Sequence, residues 1–209
     1  MRALLVDYGG VMTTSVGRAF AEFCLREGVD PERFRSVVAE AYSEAGRGGM
    51  MARLERGQIE LEEFERWAAE TLSEGLERPL SPSGLKERMN AGLQADETMT
   101  AAVRRLRDAG VKTALLSNSW GGGAYERERF GEIFDAVVIS GEVGARKPER
   151  EIYLIAAERL DVEPQECVFV DDLLQNVEGA RAVGMEAFVH RNAQFTIPKL
   201  EELFGVGLG

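Results

Sequence analysis

Five short runs of aliphatic and β-branched residues recur along the chain with helical patterns between them: Ala3 to Val6, Thr113 to Leu116, Ala136 to Ile139, Val168 to Val170 and Ala187 to Val189. None alternates apolar with polar residues. A strand that is apolar on both sides needs cover on both faces, as in a parallel sheet with helices above and below. Right-handed crossovers between parallel strands place their C-terminal ends along one edge, and open α/β sheets bind ligands there. The runs therefore predict a Rossmann-like α/β fold with a parallel sheet and helices on both faces. That edge gathers residues far apart in sequence, because Asp7, Ser117 and the pair Asp171 and Asp172 each follow directly on a run.

Between Thr14 and Gly92 the pattern changes. Asp30-Pro31 reads as a helix N-cap followed by proline at the first helical position, and Phe34, Val37, Val38, Ala41 and Tyr42 then recur at helical spacing. A second amphipathic segment carries Leu61, Phe64, Ala68 and Leu72 with Trp67 beside the stripe, and Gly28 and Gly75 read as helix stops. No strand pattern occurs here. The expected organisation is a core of residues 1–13 and 93–209 and a helical cap, 14–92, inserted over the strand edge. A helix from about Glu97 to Asp108, ended by Gly110, leads back into the sheet.

Composition narrows the class of partner. The 209 residues carry a formal charge of −11 with no basic tract, so the whole-molecule field repels polyanions and nucleic acid is not an expected partner. One lysine and one metal ion still suffice to reverse the potential inside a single cleft. The two cysteines, Cys24 and Cys167, lie far apart and outside any metal-binding spacing, which fits a reducing, cytoplasmic setting. The N-terminal apolar run stops at Asp7, too short for a signal-peptide core, and no stretch approaches membrane-spanning length. His190 is the single histidine and stands apart from the strand-end residues, which argues against a Ser/His/Asp or Cys/His mechanism.

Four segments describe a phosphate pocket. Asp7-Tyr8-Gly9-Gly10-Val11 offers a carboxylate able to attack phosphorus, and Leu116-Ser117-Asn118 a hydroxyl and amide donors. Lys147-Pro148 offers a cation with proline placed for the first position of a helix, and Asp171-Asp172 further carboxylates, with Asn176 one turn on to orient them. Carboxylates packed this closely repel unless a proton or cation intervenes, and an all-oxygen donor set suits Mg²⁺. Trp120 with Gly121, Gly122 and Gly123, and the Gly46 to Met50 loop with Arg47, are candidate substrate-facing loops.

These segments, in this order and within the strings LLSNS, GARKPEREIY and VFVDDLLQNVEGARAVGM, resemble the haloacid dehalogenase superfamily of hydrolases, in the branch whose helical cap follows the first motif. The resemblance implies Asp7 as nucleophile and Lys147 as the catalytic cation, which with Ser117 and Asn118 binds the phosphoryl group of a small phosphorylated substrate. It also implies Mg²⁺ held by Asp7, the Gly9 carbonyl and Asp172, with Asp171 as a direct or water-mediated companion. One position departs from the pattern. Most phosphatases of the family carry a second aspartate two residues after the nucleophile, and Gly9 stands there instead. General acid–base help is worth about 10²–10⁴ in rate, so a substrate with a good leaving group is expected. Two other readings are a binding or regulatory protein that keeps the pocket without turnover, and a metal-independent dehalogenase, for which Asp171 and Asp172 would have no use.

Overall fold

The computed structural model describes residues 1–43, 49–119 and 130–209. Its centre is a five-stranded parallel sheet of β1 (Ala3–Val6), β2 (Lys112–Ser117), β3 (Ala136–Ile139), β4 (Cys167–Asp171) and β5 (Glu186–Val189), in the order β3-β2-β1-β4-β5. Every predicted run is a strand. The chain builds outward from β1 through β2 to β3, then crosses back to lay β4 on the other side of β1, so the switch in winding direction falls between β1 and β4. Ligands bind at such points in open α/β sheets.

Ten α-helices occur among the described residues. They are α1 (Val16–Glu27), α2 (Pro31–Tyr42), α3 (Met50–Glu55), α4 (Leu61–Leu72), α5 (Leu85–Asn90), α6 (Glu97–Asp108), α7 (Ser140–Val143), α8 (Arg150–Arg159), α9 (Leu174–Ala182) and α10 (Ala193–Phe204). The unalternated strands bury both faces. Leu4, Val6, Leu115, Val168 and Val170 pack with Met99, Val103 and Leu106 of α6 and Leu200 of α10. Their neighbours Ala3, Leu5, Ala114, Leu116 and Phe169 pack with Ile152, Tyr153 and Ala156 of α8 and Val177 and Ala180 of α9 on the other side. No helix of the described residues is long and apolar enough to cross a membrane.

Helices α1 to α5 enclose a third cluster, in which Phe23, Phe34, Val37, Met51, Leu54, Phe64, Ala68 and Leu72 meet. Apart from Tyr42, which lies outside this cluster, the stripes read from periodicity are thus this unit's own core. Asp30 caps α2 by accepting from the backbone N–H groups of Glu32 and Arg33 at 2.9 and 2.8 Å, with Pro31 at the first helical position. Such a cap is worth about 1 kcal/mol. The chain enters and leaves the unit side by side: Thr13 and Ala95 form an antiparallel bridge, Thr14 N–H donates to Gln94 O at 2.8 Å, and Asp96 N–H donates to Met12 O at 2.8 Å.

Pro148 does not open a helix. Helix α8 begins at Arg150 with Glu149 as its N-cap, and Pro148 lies ahead of both, after a cis Lys147–Pro148 peptide. Glu149 stands at the N-cap position without a side-chain capping bond; its Oε2 accepts instead from Arg146 N–H at 3.1 Å.

Candidate active site

Asp7 and Asp171 sit on the two strands that flank the switch point. Val6 pairs with Val170, and Asp7 N–H donates to Val170 O at 2.9 Å, which sets the two carboxylates beside each other. Lys147 lies between them, its Nζ 2.6 Å from Asp7 Oδ1 and 2.7 Å from Asp171 Oδ2, with the side chain only 1% exposed. A loop residue needs support to hold a buried ammonium in one place. Asn118, at the end of β2, supplies it: its Oδ1 accepts from Lys147 N–H at 2.8 Å and its Nδ2 donates to Lys147 O at 3.0 Å. The Asn118 side chain is therefore committed to the lysine's peptide. Ser117, also buried, ends β2 alongside it.

Asp171, Asp172 and Asp7 each offer a carboxylate oxygen within 4.8 Å of the others. Their surroundings differ. Asp171 is fully buried, and both its oxygens already accept from protein donors: Oδ1 from Leu173 N–H at 2.8 Å and Asn176 Nδ2 at 3.0 Å, Oδ2 from Lys147 and from Asn176 Nδ2 at 3.1 Å. No lysine or arginine pairs with Asp172 among the described residues. The resemblance ranks Asp172 ahead of Asp171 as a metal ligand, and the described contacts give the physical difference: the protein already engages both Asp171 oxygens, while no described lysine or arginine pairs with Asp172.

Three acids around one ammonium leave the cluster short of positive charge. Burial pushes Asp7 up to about 7, against the lowering effect of Lys147, and Asp171 and Asp172 add to the rise. Burial and then Asp171 push Asp172 up to about 6. Burial alone would lower the Lys147 pKa, but Asp171 and Asp7 outweigh it and keep the ammonium charged. A divalent cation fits this deficit and an all-oxygen donor set. Asn176 Oδ1, buried beside Asp171, has no hydrogen-bond partner among the described residues, as an oxygen facing a polar group added to this cluster would.

The turn after β1 brings Asp172 close through glycine. Gly10 has φ +81°, and a Cβ there would stand 2.5 Å from Asp172 Oδ2. Gly9 is not in the left-handed region; the limit there is steric, since a Cβ would meet Val16 Cγ2 at 3.0 Å. The left-handed backbone that calls for glycine is at Gly10. Gly10→Ala is accordingly expected to displace Asp172 and to add backbone strain of about 1–2 kcal/mol. Thermal melting should show a fall of several degrees, together with weaker Mg²⁺ binding by calorimetry.

A family model described as haloacid dehalogenase-like hydrolase matches residues 1–184, which include every strand but β5 and all of the clustered carboxylates. The chain is a haloacid dehalogenase-like hydrolase. Over its full length the hydrolase is 27% identical to pig bifunctional epoxide hydrolase 2, of which it spans 40%. Over 54% of its length it is 34% identical to a sesquiterpene phosphatase of Aspergillus oryzae, covering 59% of that protein. Among solved structures, a haloacid dehalogenase family enzyme from Bacteroides thetaiotaomicron, in complex with magnesium and inorganic phosphate, superposes with TM-score 0.63 at 21% identity, over 91% of this chain and 94% of that one. That likeness establishes the shared fold.

The hydrolase adds residues at this edge that its sequence did not single out. Glu55, the last residue of α3, is buried; its Oε1 accepts from Tyr42 Oη at 3.0 Å, and its Oε2 from Arg146 Nε at 2.5 Å and Asn118 Nδ2 at 3.4 Å. Burial raises the Glu55 pKa in spite of Arg146. The next residue, Arg56, pairs with Glu149 ahead of α8. Glu55 left one trace in the sequence, an acid four residues after Met51 on the apolar side of a short helix. His190 takes no part in the cluster: its Nδ1 shares a hydrogen bond with Thr196 Oγ1 at 2.8 Å, and its backbone N–H donates to Asp171 O. Of the candidate loops, Trp120, Gly121, Gly122 and Gly123, and Gly46, Arg47 and Gly48, lie outside the described residues. Gly49 caps α3, and Met50 is buried in the helical core.

Proposed function

We propose that this hydrolase is a Mg²⁺-dependent phosphatase of a small phosphorylated metabolite, acting through an aspartyl-phosphate on Asp7. The observation that carries the proposal is the Asp7–Lys147–Asp171 cluster at the switch point, with Asp172 open beside it. A carboxylate buried against a fixed ammonium is placed for nucleophilic attack. An Asp7 oxygen bonds to phosphorus as the ester oxygen departs and takes a proton from solvent water, and a water molecule then cleaves the acyl phosphate to regenerate Asp7 and release phosphate. Lys147, with Ser117 and the backbone N–H groups at the end of β2, stabilises charge on the transferring group. Asp171, saturated by its own donors, holds Lys147 in place. The residues that would hold Mg²⁺ are Asp7, Asp172 and the Gly9 carbonyl, with Asn176 and Asp171 orienting them. The bound ion would neutralise the crowded carboxylates and the phosphate oxygens.

The helical unit of residues 14–92 is read as the cap that selects the leaving group. Relatives named as phosphatases support the reaction class. Gly9 favours a second reading, a phospho-ligand binder without turnover, because the turn provides no acid for the leaving group. Phosphate release from a panel of phosphorylated metabolites, with Mg²⁺ and with chelator, separates the two. Asp172→Asn is expected to weaken Mg²⁺ binding at least about 10-fold by calorimetry. Absence of Mg²⁺ binding by the unmodified protein at millimolar concentration, even with vanadate present, would refute the metal site.

A further inference from the structure

Arg146 is held in an arrangement that an ion pair made only for stability does not require. Its side chain is 12% exposed, its Nε donates to Glu55 Oε2 at 2.5 Å, and its guanidinium carbon lies 5.4 Å from the centroid of the Tyr42 ring. The strongest arginine–carboxylate pairs engage the fork through two parallel bonds. Glu55 instead holds the guanidinium by its side nitrogen and gives its other oxygen to the Tyr42 hydroxyl. The ring and the carboxylate thus set the guanidinium plane while the terminal pair of nitrogens stays uncommitted. Neither Nη makes a hydrogen bond to any described residue.

The position of this fork matters as much as its freedom. The Glu55 oxygen that holds Arg146 also accepts from Asn118, whose amide clasps the Lys147 peptide. Arg146 therefore stands where the helical unit meets the strand edge, one residue from the cation between Asp7 and Asp171. A leaving group that extends from a phosphoryl group at Asp7 towards this junction would meet that fork. In a molecule of charge −11, a preorganised guanidinium edge there is a selective feature. Resting on the phosphatase reading above, we infer that Arg146 is a specificity-determining residue that reads a second oxyanion on the leaving group, so that preferred substrates are phosphate monoesters bearing a carboxylate or a second phosphoryl group. Glu55 and Tyr42 are positioning residues for it.

The test compares para-carboxyphenyl, para-phosphonophenyl and the neutral para-carbamoylphenyl phosphate as substrates with Mg²⁺. Calorimetric binding of para-phosphonobenzoate against phenylphosphonate runs in parallel. Two variants are used: Arg146→Lys, which keeps the charge opposite Glu55 but removes the fork, and Glu55→Gln with Arg146→Gln, which removes both buried charges together. The unmodified protein should prefer an oxyanion substrate over the neutral one, and the carboxylate and phosphonate arms show which group is read. In both variants that preference, measured as a ratio of KM values and of Kd values, should fall by about 10–100-fold, the worth of charge-assisted hydrogen bonds. Equal binding of para-phosphonobenzoate and phenylphosphonate by the unmodified protein would overturn the inference, whether or not turnover occurs. Equal losses on charged and neutral ligands in the variants would also overturn it, by reducing Arg146 to a structural contact. If no substrate is hydrolysed but the binding ratio holds and collapses in the variants, the phosphatase reading fails and the Arg146 assignment stands.

Discussion

Asp7→Asn is expected to abolish phosphate release, with a loss of at least about 10⁴-fold, because the amide nearly preserves the shape of the carboxylate but is a poor nucleophile. The fold should survive. Lys147 keeps its bond to Asp171 at 2.7 Å and its clasp by Asn118, so its ammonium does not become an unpaired buried charge. The metal-free variant should even melt higher than the metal-free parent at neutral pH. An acid whose pKa is higher in the folded than in the unfolded chain binds more protons when folded, so it lowers stability as pH climbs. For Asp7 the window runs from about 4 to about 7, and for Asp172 to about 6. Without metal, the melting temperature of the parent should therefore fall across that range. Millimolar Mg²⁺ should reverse the fall, and Asp7→Asn should flatten it. Retention of most activity in Asp7→Asn, after contaminating phosphatase has been excluded, would remove the covalent mechanism.

Restoring an acid at position 9 requires two substitutions. A Cβ on Gly9 would meet Val16 Cγ2 at 3.0 Å, and valine, branched at Cβ, has few rotamers with which to yield. Gly9→Asp alone should then shift the start of α1 and gain little. Val16 is half-buried at the first position of that helix, so Val16→Ala makes room at small cost. The double variant should raise turnover of poor leaving groups by up to about 10²-fold, part of the usual acid–base contribution, and flatten the dependence of rate on leaving-group pKa. A folded, Mg²⁺-binding double variant whose leaving-group slope matches the parent's would count against the missing acid as the limiting feature. It would favour the binding role for the pocket.

The strands were legible because burial on both faces leaves no room for alternation, and once they were read as parallel, Asp7, Ser117 and Asp171 had to share an edge, though their order along it was not legible. Lys147 was legible through its sequence string, but its support was not. The reciprocal clasp by Asn118 joins residues 29 apart, and nothing in either segment marks the side chain as spent on a peptide rather than offered to a ligand. Glu55 was harder still: its partner Arg146 lies 91 positions away, and an acid on a short helix reads as solvated until the opposing surface is known. The difference between Asp171 and Asp172 depends on which oxygens the backbone after β4 has already engaged, through Leu173 and Asn176. The Val16 contact arises from how one turn folds against the first residue of α1, a matter of tenths of an ångström that periodicity does not encode.

The paired crossings between the helical unit and the sheet give the chain a single doorway. Since Thr13 and Ala95 are bridged and Met12 and Asp96 are hydrogen-bonded, the sheet meets some eighty residues of helix as it would meet a closed loop. Exchanging everything beyond that doorway leaves Asp7, Lys147, Asp171 and Asp172 untouched, because all four are supplied from the sheet side. Contacts such as Glu55 and Tyr42 with Arg146, Arg56 with Glu149 and Val16 with Gly9 would need to be rebuilt. The same doorway lies just six residues beyond Asp7, and Gly10 N–H is tied to Thr13 Oγ1 at 3.0 Å, so a rotation of the helices about it would pull first on the turn that follows Asp7. On the proposed mechanism, leaving-group choice and the placement of the attacking oxygen would be geared to one pivot, and substitutions at Thr13 or Ala95 should alter both together.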